Sequence, residues 1–508
     1  MSVELGEHLE PADVLAVAGG APVAFGDKAR ARVAAARAVI DDAVASGDTV
    51  YGVTTGFGGL AHTRVDPSQA STLQHGIVRS HATAVGTPLP RDEARAMMVL
   101  RAHVLALGHS GVRPEVVDLM VSMLNEDVIP AVPQQGSLGA SGDLAPLANL
   151  ALPLIGDGAV LTREGGEQPA RAAMARAGLQ TLTLEAKEGL SLVNGTQGML
   201  AIGIIATERA ATLARTADVV AAMTIEASLG TDRPFDERLQ SLRPHPGQTA
   251  SASNLRRLLA NSPVLASHRD SPHLVQDAYS LRCAPQVHGA TRDALAYAGQ
   301  VLRIEVNSVS DNPIVLHGGE VIAGGNFHGQ PVAVALDTVA TALVSLASIS
   351  ERRLYRLLDE HQSNGLPPFL VHGAGLNSGF MLVQYTAASL VSECKSLAHP
   401  ASVDSIPSSA GQEDHVSMGM ISARHAREVV GNAETVIALE ALGAAQALDL
   451  RAPLGPGPAT RAVHDAIRRR VRFFDADREF GPDIAGAVDL VHEGDLVEAA
   501  EAAVGPLA

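Results

Sequence analysis

Eight residues, six of them small, Gly136-Ser137-Leu138-Gly139-Ala140-Ser141-Gly142-Asp143, lead straight into an apolar stretch at 144–155. The plainest reading is a tight turn with Ser141 or Asp143 capping a helix. A serine-hydrolase elbow would need G-x-S-x-G, and Asp143 stands where the last glycine should be. A third reading is self-processing of the backbone. The Gly142 amide nitrogen attacks the Ala140 carbonyl, whose oxygen leaves as one water, and loss of a second water from the Ser141 side chain gives a conjugated exocyclic methylene. Small neighbours allow that approach where a bulky Cβ would block it, and glycine tolerates the angles required. The product would be an electrophile that none of the twenty side chains supplies.

Other residues could serve such a group. Gln276, Tyr279 and Arg282 stand at i, i+3 and i+6, which on a helix spreads them over roughly 120° of one face. Leu274, Val275 and Leu281 interleave with them, which disfavours a fully exposed face. Tyr51 sits beside glycine-rich sequence, and His81, Asn194 and the acidic cluster at 413–415 are further polar candidates. The 19 histidines include no H-E-x-x-H and no Cys/His ligand spacing, so no metal site is expected. No phosphate-binding glycine loop is present, and no diffusible cofactor is expected.

The elements that must hold these residues are mostly helical. Apolar residues return every three or four positions at 29–46, 91–107, 114–125, 197–229, 330–359, 379–397 and 416–450. Strand-like alternation is limited to 158–162, 181–184 and 321–322. Three of the helical stretches exceed the usual length of roughly 8 to 20 residues, as in a bundle of long helices. Gly and Pro clusters mark loops at 51–59, 130–142, 243–247, 366–375 and 454–458.

With 508 residues, 46% of them apolar, the chain can bury a large core. A formal charge of -17 disfavours nucleic acid as partner. Two cysteines, Cys283 and Cys394, neither staple a secreted scaffold nor bind zinc, so a cytoplasmic location is expected. The opening MSVELGEHLEPADVLAVAGG is acidic where an export signal would be basic, so none is expected. The longest uncharged run, between Glu188 and Glu208, contains Asn194, Thr196 and Gln197, so no membrane span is expected there.

The octapeptide with its following Leu-Ala-Pro-Leu resembles the signature of the aromatic amino acid ammonia-lyase family. The resemblance extends through YGVTTGFG at 51–58, EGLSLVNGT at 188–196, QDAYSLRC at 276–283, GNFHG at 325–329 and QEDHVSM at 412–418, in family order across nearly the whole chain. It implies a mainly α fold of the fumarase/aspartase-like superfamily. A smaller N-terminal domain, 1–195, would carry the reactive loop, and 196–508 would form the long-helix bundle and C-terminal region. It also implies a 4-methylidene-imidazole-5-one (MIO) formed from Ala140, Ser141 and Gly142, and a homotetramer whose active sites draw on three subunits.

Within the family, Ser80-His81 and the stretch 399–418 look most like the histidine-specific branch, whereas phenylalanine lyases carry Phe-Leu and tyrosine lyases His-Leu at that pair. The implied reaction is loss of ammonia from L-histidine to give trans-urocanate. Tyr51 would be the base for the β proton, which from a pKa near 10 requires about three units of depression; helix N-termini could supply the field. Arg282 would fork onto the substrate carboxylate. Tyr279 would bond near the electrophile, with Gln276 on the same face. Asn194 would hold the ring or the carboxylate. Phe327 would wall the ring, Asn326 would orient neighbouring backbone, and Met381 and His81 would touch the imidazole. Glu413, beside Gln412, would pair with the imidazole or the amine. A tyrosine lyase or aminomutase is the nearer alternative, and a helical relative that has lost its chemistry the further one.

Overall fold

Helix Arg91–Ala106 is buried on every side from Glu93 onward, the pattern of a helix at the centre of a core. Arg95, Arg101 and His103 are carried inside with it. Around it the computed structural model, which describes residues 2–271 and 275–508, is dominated by helices; Leu274 lies outside the described residues. All seven expected helices form, as Asp27–Ser46, Arg91–Ala106, Pro114–Asn125, Gln197–Ala227, Gln330–Leu358, Met381–Leu397 and Gly419–Leu450. Their ends follow local chemistry: Pro114 opens its helix at N1, and Gly47 closes another in the left-handed region at φ 76°. Ala70–His81, Ala284–Val306 and three C-terminal helices, Pro458–Arg470, Gly481–His492 and Asp495–Val504, add to these.

The described strands form four two-stranded pairs. Val3–Glu4 runs parallel to Val23–Ala24. Val85–Pro88 with Pro133–Gln135, Ala159–Leu161 with Glu167–Pro169, and Ile314–Val315 with Val321–Ile322 are antiparallel. The expected strand at 181–184 does not form. Its backbone groups go instead to the Leu154 carbonyl, the Arg113 guanidinium and the His75 ring, so no ladder is possible.

The chain divides into two units. The first comprises Met1–Ile205, Gly299–Asp337 and Pro400–Arg424, and so takes in more than the 1–195 segment expected to carry the reactive loop. The second comprises Ala206–Ala298, Thr338–His399 and His425–Ala508. Within the second, the buried Asp218 carboxylate accepts from His288, Arg292, Ser251 and Asn254 at 2.6–2.9 Å. Glu440 likewise takes Arg353, Thr224 and Ser350 at 2.5–2.8 Å. Paired in this way, these two buried carboxylates are satisfied. Helix Gln330–Leu358 is long and apolar enough to cross a bilayer by composition, and 61% of its most apolar window is buried within the protein.

Candidate active site

The octapeptide 136–143 folds as a strained turn bridged between single residues, Gly139 and Gly142. Ser141 has φ +47° and the flanking Gly139 and Gly142 have φ +95° and +81°. A side chain is disfavoured at such angles, yet Ser141 carries one. The Gly142 amide donates to the Gly139 carbonyl at 3.2 Å. Against this turn lies Gly195: its N–H donates to the Ser141 carbonyl at 3.0 Å, and its own carbonyl accepts from Asp143 N–H at 2.7 Å. A Cβ on Gly142 would stand 2.1 Å from the Gly195 oxygen, so only glycine fits.

Three long helices begin around this turn. The Asp143 carboxylate caps one, accepting from Met199 N–H at 2.8 Å while Ser137 donates to its other oxygen at 3.0 Å. Burial pushes Asp143 up to about 6. The Met418 amide, just before helix Gly419–Leu450, donates to the Leu138 carbonyl at 3.0 Å. Gly329, just before helix Gln330–Leu358, packs so that a Cβ there would meet Met199 Sδ at 2.4 Å. The positive ends of three helix dipoles are thus gathered beside the loop.

A cavity of about 440 Å³ opens over the turn, lined by Ser141, Tyr51, Phe57, His81, Asn194 and Glu413. A second, of about 240 Å³, shares His81 and Glu413 and reaches Ala140 and Gly142. The Tyr51 hydroxyl accepts from Gly58 N–H at 2.8 Å. Contrary to the depression expected, Tyr51 is raised: burial is the main cause, the Glu413 charge adds to it, and the Gly58 hydrogen bond opposes it. His81 Nδ1 lies 2.9 Å from the Ile77 carbonyl, which can only accept, so Nδ1 carries the hydrogen and Nε2 remains an acceptor. Burial lowers His81, against smaller opposing effects of Ile77 and Glu413, so the ring is neutral at neutral pH. Phe57 packs on it with ring centroids 5.2 Å apart. Ser408 donates to Glu413 at 2.9 Å, and Ser409 receives the Gly59 amide at 2.9 Å, tying the Glu413 loop to the Tyr51 loop.

Asn194 is buried and its Nδ2 is committed to the Asn312 carbonyl at 2.8 Å and to Asp311 at 3.3 Å. Beneath it Lys187 pairs with Asp311 at 3.0 Å, both fully buried, and Arg101 bonds the Asn194 carbonyl. Gln74 bridges Gly52 and Leu190 at 3.0 and 2.9 Å, fixing the Tyr51 loop against helix Glu188–Val193. Phe57, Gln74, Ser408 and Ser409 stand in stretches that carry the family resemblance but have no role assigned from the sequence, and Arg101 stands outside every such stretch. Arg101 and Gln74 left one signal, a polar residue inside an apolar helical run.

Other expected residues lie elsewhere. Phe327 and Asn326 sit on the 323–328 loop of the first unit, Phe327 half-buried and outside both cavities, and Asn326 exposed with its Nδ2 on the Val309 carbonyl. Gln412 is exposed. Gln276, Tyr279, Arg282 and Met381 belong to the second unit. The single helical face expected for the first three does not form. The helix is one turn, Tyr279–Arg282, because Ala278 is extended (ψ 155°) and Asp277 is held by Thr231 N–H at 2.8 Å. Gln276 is exposed, Tyr279 is 72% exposed, and the Arg282 guanidinium stacks 4.7 Å from the Tyr279 ring centre.

Comparison with known proteins bears on this arrangement. The chain is 55% identical to a histidine ammonia-lyase of Sorangium cellulosum over 513 residues, covering 99% of each chain. It is 53% identical to one of Gloeobacter violaceus, covering 97% of this chain and 96% of that one. Among solved structures, histidine ammonia-lyase from Trypanosoma cruzi matches with TM-score 0.91 at 42% identity, covering 99% and 96% of the two chains. Tyrosine aminomutase from Streptomyces globisporus matches with TM-score 0.94 at 40% identity and 99% coverage of both. The family model described as aromatic amino acid lyase matches residues 9–469. The chain therefore belongs to the aromatic amino acid lyase family.

Proposed function

We propose that the protein is a histidine ammonia-lyase, converting L-histidine to trans-urocanate and ammonia. The observation that carries this reading is one cavity in which a strained Ser141 meets a neutral His81 and the Glu413 carboxylate. The two partners suit this substrate: His81 Nε2 accepts an imidazole N–H, and Glu413 pairs with the second N–H of an imidazolium or with the ammonium group. The relatives named above support the same substrate.

Ala140, Ser141 and Gly142 fit the precursor of a self-formed MIO. Ser141 is in a conformation only tight surroundings impose, and the cradle under Gly142 has no room for a Cβ. Once formed, that group would supply an electrophilic methylidene, the chemistry needed to turn an amine into a better leaving group. Tyr51 accepts the β proton. Glu413 is one cause of its raised pKa, so a cationic substrate seated on Glu413 removes that cause and eases deprotonation. Asn194 fixes the backbone beside Ser141. Arg282 forks onto the substrate carboxylate, with Tyr279 beside it and Gln276, Phe327, Met381 and Gln412 completing the wall. A homotetramer would bring such residues to the site from neighbouring subunits. Exposed Tyr279, Val275, Leu376 and Tyr385 support burial between subunits. Free Cys283 and Cys394 are in keeping with a reducing cytoplasm.

The test supplies L-histidine and L-tyrosine separately and follows urocanate and coumarate by absorbance, with the 140–142 peptide weighed in parallel. Urocanate from histidine and a peptide two waters short are expected. Coumarate, or a β-amino acid from tyrosine, would transfer the reading to a tyrosine lyase or aminomutase, whose fold is equally close.

A further inference from the structure

The Asn194 carbonyl and the Gly195 amide belong to one peptide group, whose two ends are held by different partners. Arg101 Nη1 donates to the Asn194 carbonyl, and Gly195 N–H donates to the Ser141 carbonyl at 3.0 Å. Arg101 is fully buried; its Nη1 also reaches Gln197 Oε1 at 3.0 Å, while its Nε and Nη2 have no partner among the described residues. It lies in the field of the buried Lys187–Asp311 pair, so two cations and one anion interact there. Burying an unmatched guanidinium costs stability, which marks the position as a candidate for function.

We infer that Arg101 is a positioning residue for maturation of the loop: it polarises the Asn194–Gly195 peptide so that Gly195 N–H stabilises negative charge on the Ser141 carbonyl oxygen. The inference rests on the reading of Ala140, Ser141 and Gly142 as a self-formed electrophile. In the dehydration of Ser141 its Cα–H bond breaks, the proton passes to a base in the cavity, and the electron pair moves onto the Ser141 carbonyl oxygen. The pair then returns to make the Cα=Cβ bond as Cβ–Oγ breaks. The proton goes to the departing oxygen, so one water leaves and nothing is oxidised or reduced.

Charge develops on the one oxygen that Gly195 holds, and a donor already aimed at that oxygen lowers the barrier. Hydrogen bonds in series strengthen one another in a low dielectric, so a guanidinium on the far end of the peptide makes its near end the better donor. A side chain at Gly195 is disfavoured by its φ of +137°, and a Cβ there would displace Gln197 Oε1, 2.4 Å away, and Arg101 Nη1, 2.8 Å away.

The test weighs the 140–142 peptide of the full chain at intervals after a pulse of synthesis, with thermal midpoints taken on the same samples. In Arg101→Gln the second water is expected to leave about tenfold more slowly or worse, so a species one water short accumulates. Gln197→Glu is nearly isosteric and sets a carboxylate against the guanidinium; it should slow the same step even if Arg101→Gln fails to fold. Gln197→Met removes the same hydrogen bond without adding charge and should mature within about twofold of the parent chain. Unchanged maturation in Gln197→Glu, or equal slowing in Gln197→Met, would overturn the relay. A parent chain that never loses water would instead remove the reading beneath it.

Discussion

Asp143 and Met199 are joined by a 2.8 Å hydrogen bond in which a fully buried carboxylate holds the first turn of helix Gln197–Ala227. Burial raises that carboxyl from 3.8 to about 6. Between those values the folded chain keeps a proton that the unfolded chain has released, so this group's contribution to stability falls as pH rises through about 4 to 6. Asp143→Asn should flatten that part of the profile. Denaturant midpoints of the two proteins that run parallel across the window would count against it.

Ser141→Ala removes the hydroxyl that must leave. The peptide should then lose at most one water, and turnover should drop by several orders of magnitude while helix content is kept. Alanine suffers the same positive φ as serine, so little change in thermal midpoint is expected. Urocanate formation near the parent rate would refute the role.

Gly142→Ala is predicted to be worse for the fold than for any single hydrogen bond. Its Cβ would lie 2.1 Å from the Gly195 oxygen and its φ is +81°. A loss of more than about 2 kcal/mol is expected, read from the urea midpoint. A shift below about 0.5 kcal/mol would mean the apposition relaxes freely.

Tyr51→Phe keeps the ring and removes the hydroxyl that Gly58 N–H bonds. Stability should fall by about 1 kcal/mol for the orphaned amide, and kcat by orders of magnitude if Tyr51 takes the β proton. A normal kcat with a normal solvent isotope effect would give the proton to another group.

His81→Leu removes the Nε2 acceptor. A drop of about tenfold to a hundredfold in kcat/KM for L-histidine is expected. His81 is lowered from its ordinary value, so the parent activity should fall only as pH drops below 6.5, when the ring gains a proton and loses its acceptor. The variant should lose that acid limb. An unchanged kcat/KM would remove His81 from the pocket.

The helices were legible because burial against a core imposes a period that sequence carries directly: 114–125 was bounded correctly at both ends. The strand at 181–184 failed because a strand needs a partner, and alternation alone does not show that the neighbours are side chains. Gln276 was placed on a helix by spacing, but Thr231's hold on Asp277 keeps the chain extended there. The loops around Ser141 were recognisable by their residues, whereas their meeting was not. Glu413 raises Tyr51 and Arg101 holds Asn194 across long stretches of chain, and no local pattern encodes such distances.

The backbone contact between Gly142 and Gly195 exists only after distant segments have come together. A ring closed under that pressure would outlast the pressure itself, because unfolding releases the helices but does not restore expelled water. Each molecule would then carry in its mass a permanent record of having once been native, and a denatured sample could be sorted by weight into chains that had folded and chains that never did.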